Sequence, residues 1–306
     1  PSSAASDVYK RQSLCQSAAG ELAVPRSAEM SALSSRTEPA TQQAEGYAYA
    51  ELGNPAVEGA AVLAQESALA IAYNGISHAV MMVSPTAVED FITGFSLSSA
   101  VVDSIDDIYD IRVHHLGPAI SAEVEISSRA FWAMKQQRRQ LAGTSGCGLC
   151  GVEALDQALP QLATLAPTQL PEAAHLVDLR ERIAAVQDLA RRSGALHAAL
   201  YVDGEGEIRA CREDIGRHNA LDKLIGALLR DKHDVRQGFA VVTSRCSLEL
   251  IHKAVRAGIG NLVSLSAPTA LTVQWARRHN LTLIHLPHHS APRVYSPAPP
   301  AREEQP

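Results

Sequence analysis

The 306-residue chain has no apolar run approaching the ~18 residues that a membrane-spanning helix needs. It also lacks the charged-then-apolar opening of a secretory signal. Cysteine is scarce. Cys15, Cys147, Cys150, Cys211 and Cys246 are odd in number and scattered, which is not a disulfide framework and points to a reducing cytoplasm. Positive charge is not in excess either: 27 Lys and Arg against 33 Asp and Glu leave a formal net charge of −6. That argues against a surface given over to nucleic acid. Histidine followed two residues on by glutamate, half of a zinc-deaminase signature, occurs nowhere.

What remains is 46% hydrophobic and 20% charged, suited to a globular protein with a sizeable core. Residues 1–45 are Ser- and Ala-rich without apolar period. The first 29 precede the first methionine and read as upstream sequence, with 30–45 as a flexible lead. Residues 298–306 read as a disordered tail.

Between these limits, two β-friendly runs flank Asn74-Gly75, the preferred pair of a type I′ hairpin turn. Ser84-Pro85 reads as a helix cap, followed by Val88, Phe91, Ile92 and Phe95 at helical spacing. Residues 123–127 alternate as a strand, and 129–143 read as a basic helix. Leu179, Ile183, Val186 and Leu189 mark a second amphipathic helix stopped by Gly194. A hairpin around 204–207 follows, then a β-α-β-α-β run of short apolar strands. This predicts an α/β fold: an N-terminal α+β domain (46–142), a loop and linker (143–174), and a C-terminal domain (175–297) with a largely parallel sheet.

Such sheets bind ligands at the carboxyl ends of their strands. Those ends are Thr243-Ser244-Arg245, Ser264-Leu265-Ser266 and the residues after Leu286. Ser247 and Thr269 stand where helix amides point outward, a setting that favours phosphate, and Arg245 adds a planar donor fork.

The stretch Gly146-Cys147-Gly148-Leu149-Cys150-Gly151 carries the most chemistry. Structural zinc needs four ligands and one CxxC supplies two. Thioredoxin-like redox chemistry wants a firm helix start, against which three fencing glycines argue. Sulfur carriage needs an accessible thiol on a mobile loop with positive charge nearby, which Lys135, Arg138 and Arg139 supply. Redox and sulfur chemistry both stay open on this pattern.

Seven stretches in one order resemble the formate dehydrogenase accessory sulfurtransferases, the FdhD family. They are residues 73–85, 94–98, 127–131, 138–155 (RRQLAGTSGCGLCGVEAL), 213–226 (EDIGRHNALDKLIG), 242–259 and 266–284. The resemblance implies a C-terminal cytidine-deaminase-like three-layer domain without the zinc site. It implies Cys147 as the persulfide residue and Cys150 as auxiliary. The implied donor is a cysteine desulfurase. The implied acceptor is the molybdenum bis(molybdopterin guanine dinucleotide) cofactor, bound as substrate before it enters apo formate dehydrogenase. A cytoplasmic homodimer is implied, with no membrane, zinc or nucleic-acid partner.

The family's cofactor loop falls on Leu286, Pro287, His288, His289, Ser290 and Ala291, where its aromatic, Gly and Arg are missing. Ser244, Arg245, Arg217 and His218 are further candidates for the cofactor's phosphates. The rival from another class is a non-catalytic cofactor-binding chaperone with a redox-active cysteine pair.

Overall fold

The computed structural model describes residues 46–143 and 162–299, the side chains of 55–57 and 137–143 excepted. The expectations for 1–45, for the cysteine pair and for 300–306 fall outside the described residues. No helix among the described residues is long and apolar enough to cross a membrane.

The first sheet has the order β4 (Ile76–Val83), β3 (Ser67–Tyr73), β6 (Ala119–Ile126), β5 (Ile108–Leu116). Its β3 alternates buried and half-buried side chains, placing Leu69, Ile71 and Tyr73 inward. Asn74 and Gly75 both take positive φ (46° and 78°) in the tight turn between β3 and β4, as the sequence predicts. The Asn74 side chain also ties the turn to Ile126 on β6, at 2.8 and 3.0 Å. A separate hairpin, β1 (Tyr47–Glu51) with β2 (Asn54–Ala61), precedes this sheet.

The second sheet has the order β12-β11-β10-β9-β7-β8, built from β7 (His197–Val202), β8 (Ile208–Asp214), β9 (Phe239–Val242), β10 (Asn261–Ser264), β11 (Thr282–His285) and β12 (Arg293–Ser296). Here the expectation of a largely parallel sheet needs correcting. β9, β10 and β11 are parallel, but β7 runs against both β8 and β9, and β12 against β11. The connections fit this: the short turn after β7 and the helix-free segment after β11 return the chain antiparallel, whereas β9–β10 and β10–β11 each spend a helix on a parallel crossover.

One face of this sheet (Ala199, Tyr201, Val242, Leu262, Leu283) packs on α5 (Arg217–Arg230), α6 (Leu248–Arg256) and α7 (Ala270–Arg278). The same core runs on through α1 (Val88–Ser98) into Leu69, Ile71 and Ile120 of the first sheet. The other face (Leu200, Val241, Val263, Ile284) is covered by Leu176, Leu179 and Ile183, the last two from α3 (Leu179–Val186). The fold is thus mixed α/β with helices on both faces of its larger sheet.

α1 and α5 cross at glycine. A Cβ at Gly94 would lie 1.8 Å from the Asp222 carbonyl oxygen, and one at Gly226 would lie 1.8 Å from that of Asp90. Both obstacles are backbone, so neither can rotate away. Gly226→Ala is therefore expected to cost at least about 2 kcal/mol, read as a lower urea midpoint at constant m-value. An unchanged midpoint would mean that the crossing is looser than described.

Two local expectations are corrected. Ser84 does not cap α1. That helix starts at Val88 behind Ala87, which is left-handed at φ 49° and makes no side-chain cap. Ser84 is spent elsewhere: its N–H donates to Asp214 Oδ2 (2.9 Å), its Oγ accepts from the Ile215 N–H (3.1 Å), and its carbonyl accepts from Lys223 Nζ (2.9 Å). The amphipathic helix ending at Gly194 is in fact two, α3 and α4 (Asp188–Ser193). The buried Glu213 carboxylate accepts from the N–H groups of Leu189 and Ala190, both at 2.8 Å, and so starts a fresh helix there.

His252 on α6 lies with its ring 4.8 Å from Trp275 on α7, and its Nε2 is buried without a partner. Burial, then Arg256 and His279, push its pKa down to about 4. The unfolded chain protonates this imidazole first, so the stability held by neutral His252 is present above about pH 6.5. It is lost as pH falls toward 4. Urea midpoints measured from pH 7.5 to 4.5 are expected to drop, and His252→Gln to shrink the drop. An equal drop in the variant would assign it to other groups.

Candidate functional site

β8 ends where β7 begins, since Asp214 pairs with His197. β9 ends beside them, because the Thr243 N–H donates to the Ala198 carbonyl. The start of α5, the start of α6 and the ends of β9, β10 and β11 therefore share one edge. β9 and β11 are separated only by β10, so their ends lie roughly 10 Å apart. A pyrophosphate with its flanking sugars spans such a distance.

The start of α5 is set by Asp214. Its Oδ1 accepts from the Gly216 N–H (2.8 Å) and from Asn219 Nδ2 (2.9 Å), while its Oδ2 pairs with Lys223 Nζ at 2.7 Å. This fixes Arg217 and His218 in the first turn, which has no acidic residue. His218 Nε2 meets Ser247 Oγ at 3.1 Å and Glu249 Oε2 at 3.3 Å. Both partners share one ring nitrogen, so this is no nucleophile–base–acid relay, which needs the two nitrogens separately.

Ser247 is the N-cap residue of α6, yet its hydroxyl bonds no amide of the helix; it faces His218 instead. Thr269 behaves ordinarily and accepts from the Thr272 N–H. The first turns of α5 and α6 thus meet at this edge with neither amide set capped by a side chain.

Burial lowers the pKa of His218, opposed by Glu249 and aided by Arg217, Lys253 and His197. Burial and then Arg217 lower that of His197. Arg217 forms no ion pair among the described residues, and its Nε is buried without a partner. Ser244 is buried and its hydroxyl donates to the Arg245 carbonyl, so it offers backbone rather than side chain. Arg245 is exposed at the same corner.

The sequence-marked segment from Leu286 to Ala291 leaves β11 at this edge. Leu286 is buried and donates its N–H to the Ser264 carbonyl; His288, His289, Ser290 and Ala291 are exposed. The His288 and His289 rings lie 5.8 Å apart. Nothing described brings this segment into direct contact with Arg217 or His218.

Sequence reasoning missed Arg180 of α3. Its Nη2 donates to the carbonyls of Leu265 (2.6 Å) and Leu286 (2.5 Å), across the ends of β10 and β11. It also missed His197 and His285, which read as strand residues. The one usable signal was a basic residue next to the buried face of a helix.

Cys147 and Cys150 lie outside the described residues. The two described cysteines are free, Cys246 buried and Cys211 half-buried, and burial first of all pushes both up to about 12. No group of three or more His, Cys, Asp and Glu among the described residues is arranged to hold a metal ion.

Comparison with known proteins bears on the whole frame. The FdhD/NarQ family's sequence model matches residues 64–301, a span that includes Cys147 and Cys150. The chain is 42% identical over 237 residues to the sulfur carrier protein FdhD of Bordetella petrii, covering 76% of this chain and 84% of that one. It is 43% identical over 239 residues to the sulfur carrier protein FdhD of Cupriavidus necator, covering 76% and 81%. Its fold is similar to the crystal structure of a formate dehydrogenase accessory protein from Desulfotalea psychrophila. The TM-score is 0.62 at 22% identity, with 81% of this chain and 94% of that one covered. With more than three quarters of its length inside the match, the chain belongs to the FdhD/NarQ family.

Proposed function

We propose that this chain is a cytoplasmic sulfurtransferase that carries sulfur for the maturation of formate dehydrogenase. The observation that carries the reading is the likeness to proteins named sulfur carrier over three quarters of the chain, in a span that contains the glycine-fenced cysteine pair. A cysteine desulfurase donates the sulfur. The Cys147 thiolate attacks the terminal sulfur of the donor's persulfide; the donor thiolate leaves and Cys147 becomes a persulfide. The acceptor, bound as substrate, is the molybdenum bis(molybdopterin guanine dinucleotide) cofactor, handed on to apo formate dehydrogenase by a homodimeric carrier.

Cys150 completes the electron balance. Its thiolate attacks Sγ of Cys147, a Cys147–Cys150 disulfide forms, and the terminal sulfur leaves as sulfide. The two thiol sulfurs are oxidised and the sulfane sulfur is reduced. A cellular dithiol reductant then resets the pair.

The cationic edge supports a nucleotide-bearing acceptor. Arg217, Arg245 and Arg293 form no ion pair among the described residues, and the first turns of α5 and α6 add uncapped amides. Arg217 and His218 serve one phosphate, with Ser244 and Arg245 beside them, and the 286–291 segment closes the far end.

The test joins both halves. The protein is incubated with a cysteine desulfurase and sulfur-labelled cysteine, and the label is mapped by mass spectrometry; GDP binding is measured by calorimetry. Label on Cys147 together with GDP binding is the expected result. GDP binding without label would favour the chaperone reading instead.

A further inference from the structure

By helical spacing Arg180 is an ordinary polar residue of α3. Its surroundings are not ordinary. One nitrogen, Nη2, holds both the Leu265 and the Leu286 carbonyls, the acceptors left over where β10 and β11 end. Its Nε is buried without a partner. No carboxylate pairs with it among the described residues.

Two further bases share this corner, again without an acid. His285 is 8% exposed and its Nδ1 is buried without a partner. Burial, then Arg293 and Arg180, hold its pKa down. Arg293 pairs in register with His285, and its Nη2 donates to Ser290 Oγ at 3.3 Å. A half-buried guanidinium with no counter-ion is costly, and a fold keeps one where a ligand brings the missing charge.

We propose that Arg180 is a positioning residue of the nucleotide site. It ties the 286–291 segment to the turn after β10 and turns its uncompensated charge toward a phosphate of the guanine dinucleotide. The inference rests on the nucleotide-binding reading above. It also explains how this chain manages without the aromatic, Gly and Arg of the family's loop: part of the anchoring comes from α3, beneath the loop.

The test uses the full chain and three probes, guanosine, GMP and GDP, titrated calorimetrically against wild type, Arg180→Met and Arg180→Lys. Arg180→Met is expected to weaken GDP about tenfold, GMP less and guanosine least, because the loss tracks phosphate charge. Arg180→Lys keeps the charge, but its single ammonium nitrogen must serve both carbonyls and the phosphate, where Arg180 spends only Nη2 on the carbonyls, so it falls between. Equal weakening of all three probes would show a merely structural residue and overturn the inference, as would unchanged GDP affinity in both variants. A wild type that binds none of the probes overturns the nucleotide reading and this inference together. Should Arg180→Met fail to fold, the lysine variant carries the same comparison.

Discussion

Cys147→Ala is expected to abolish persulfide formation and to cut the yield of active formate dehydrogenase by at least about 1000-fold, the scale of losing a covalent nucleophile. The described remainder of the chain offers no substitute. Burial pushes the thiols of Cys211 and Cys246 up to about 12, so at pH 7.5 both are held overwhelmingly as neutral thiols. An ordinary free cysteine is thiolate in roughly one in ten. Cys150→Ala separates the roles. Loading at Cys147 stays, because the first displacement does not use the second thiol, while delivery slows about tenfold or more for want of two electrons. Added dithiothreitol supplies those electrons and restores delivery. Intact-mass spectrometry reads loading as a +32 Da species, and reconstituted formate dehydrogenase activity reads delivery. A Cys147→Ala protein that still matures the dehydrogenase would end the sulfurtransferase reading. A Cys150→Ala protein that never loads would exchange the two assignments.

The sequence was most legible where local chemistry decides local geometry. Asn74-Gly75 names its turn, the 3.6-residue rhythm of Leu221, Leu224, Ile225 and Leu228 names α5, and Gly194 at φ 71° stops α4. It was least legible where distant groups compete for one residue. Ser84 looks like a cap, but Asp214, Ile215 and Lys223, 130 and more residues away, claim its N–H, hydroxyl and carbonyl. Glu213 breaks one apolar stripe into two helices by capping the second from a neighbouring strand. The hairpin at 204–207 set β7 against β8, but nothing in the pattern placed β9 against β7, and Arg293–Ser296 was not read as a strand at all.

The site divides in the same way. Arg217, His218 and Arg245 sit at helix starts and strand ends, places that pattern can mark. Arg180 reaches the same edge from the opposite face of the sheet, through a side chain whose direction only packing determines.

Lys223→Met is expected to be the most damaging single change to stability, at about 3–5 kcal/mol. Lys223 and Asp214 are both wholly buried, and their charges meet at 2.7 Å. The ammonium has three protons and three acceptors: Asp214 Oδ2, the Ser84 carbonyl at 2.9 Å and the Glu213 carbonyl at 3.3 Å. Burial pulls its pKa down and Asp214 pulls it back up. Methionine fills the space but leaves a buried carboxylate without its cation and two carbonyls without donors. Such a loss is a large share of the ~5–15 kcal/mol that holds a domain folded.

The double variant Lys223→Met/Asp214→Asn is expected to recover part of it, since the worst term is the orphaned charge rather than the missing attraction. A urea double-mutant cycle measures this, and additive losses would refute it. The same carboxylate holds the Gly216 N–H and Asn219, and so aims Arg217 and His218 at the sheet edge. Under conditions where Lys223→Met stays folded, its GDP affinity is therefore expected to fall while loading of Cys147 does not. Wild-type GDP affinity in that variant would show that the start of α5 is held by its helix alone. The ion pair at the centre of the fold would then have no part in shaping the site at its edge.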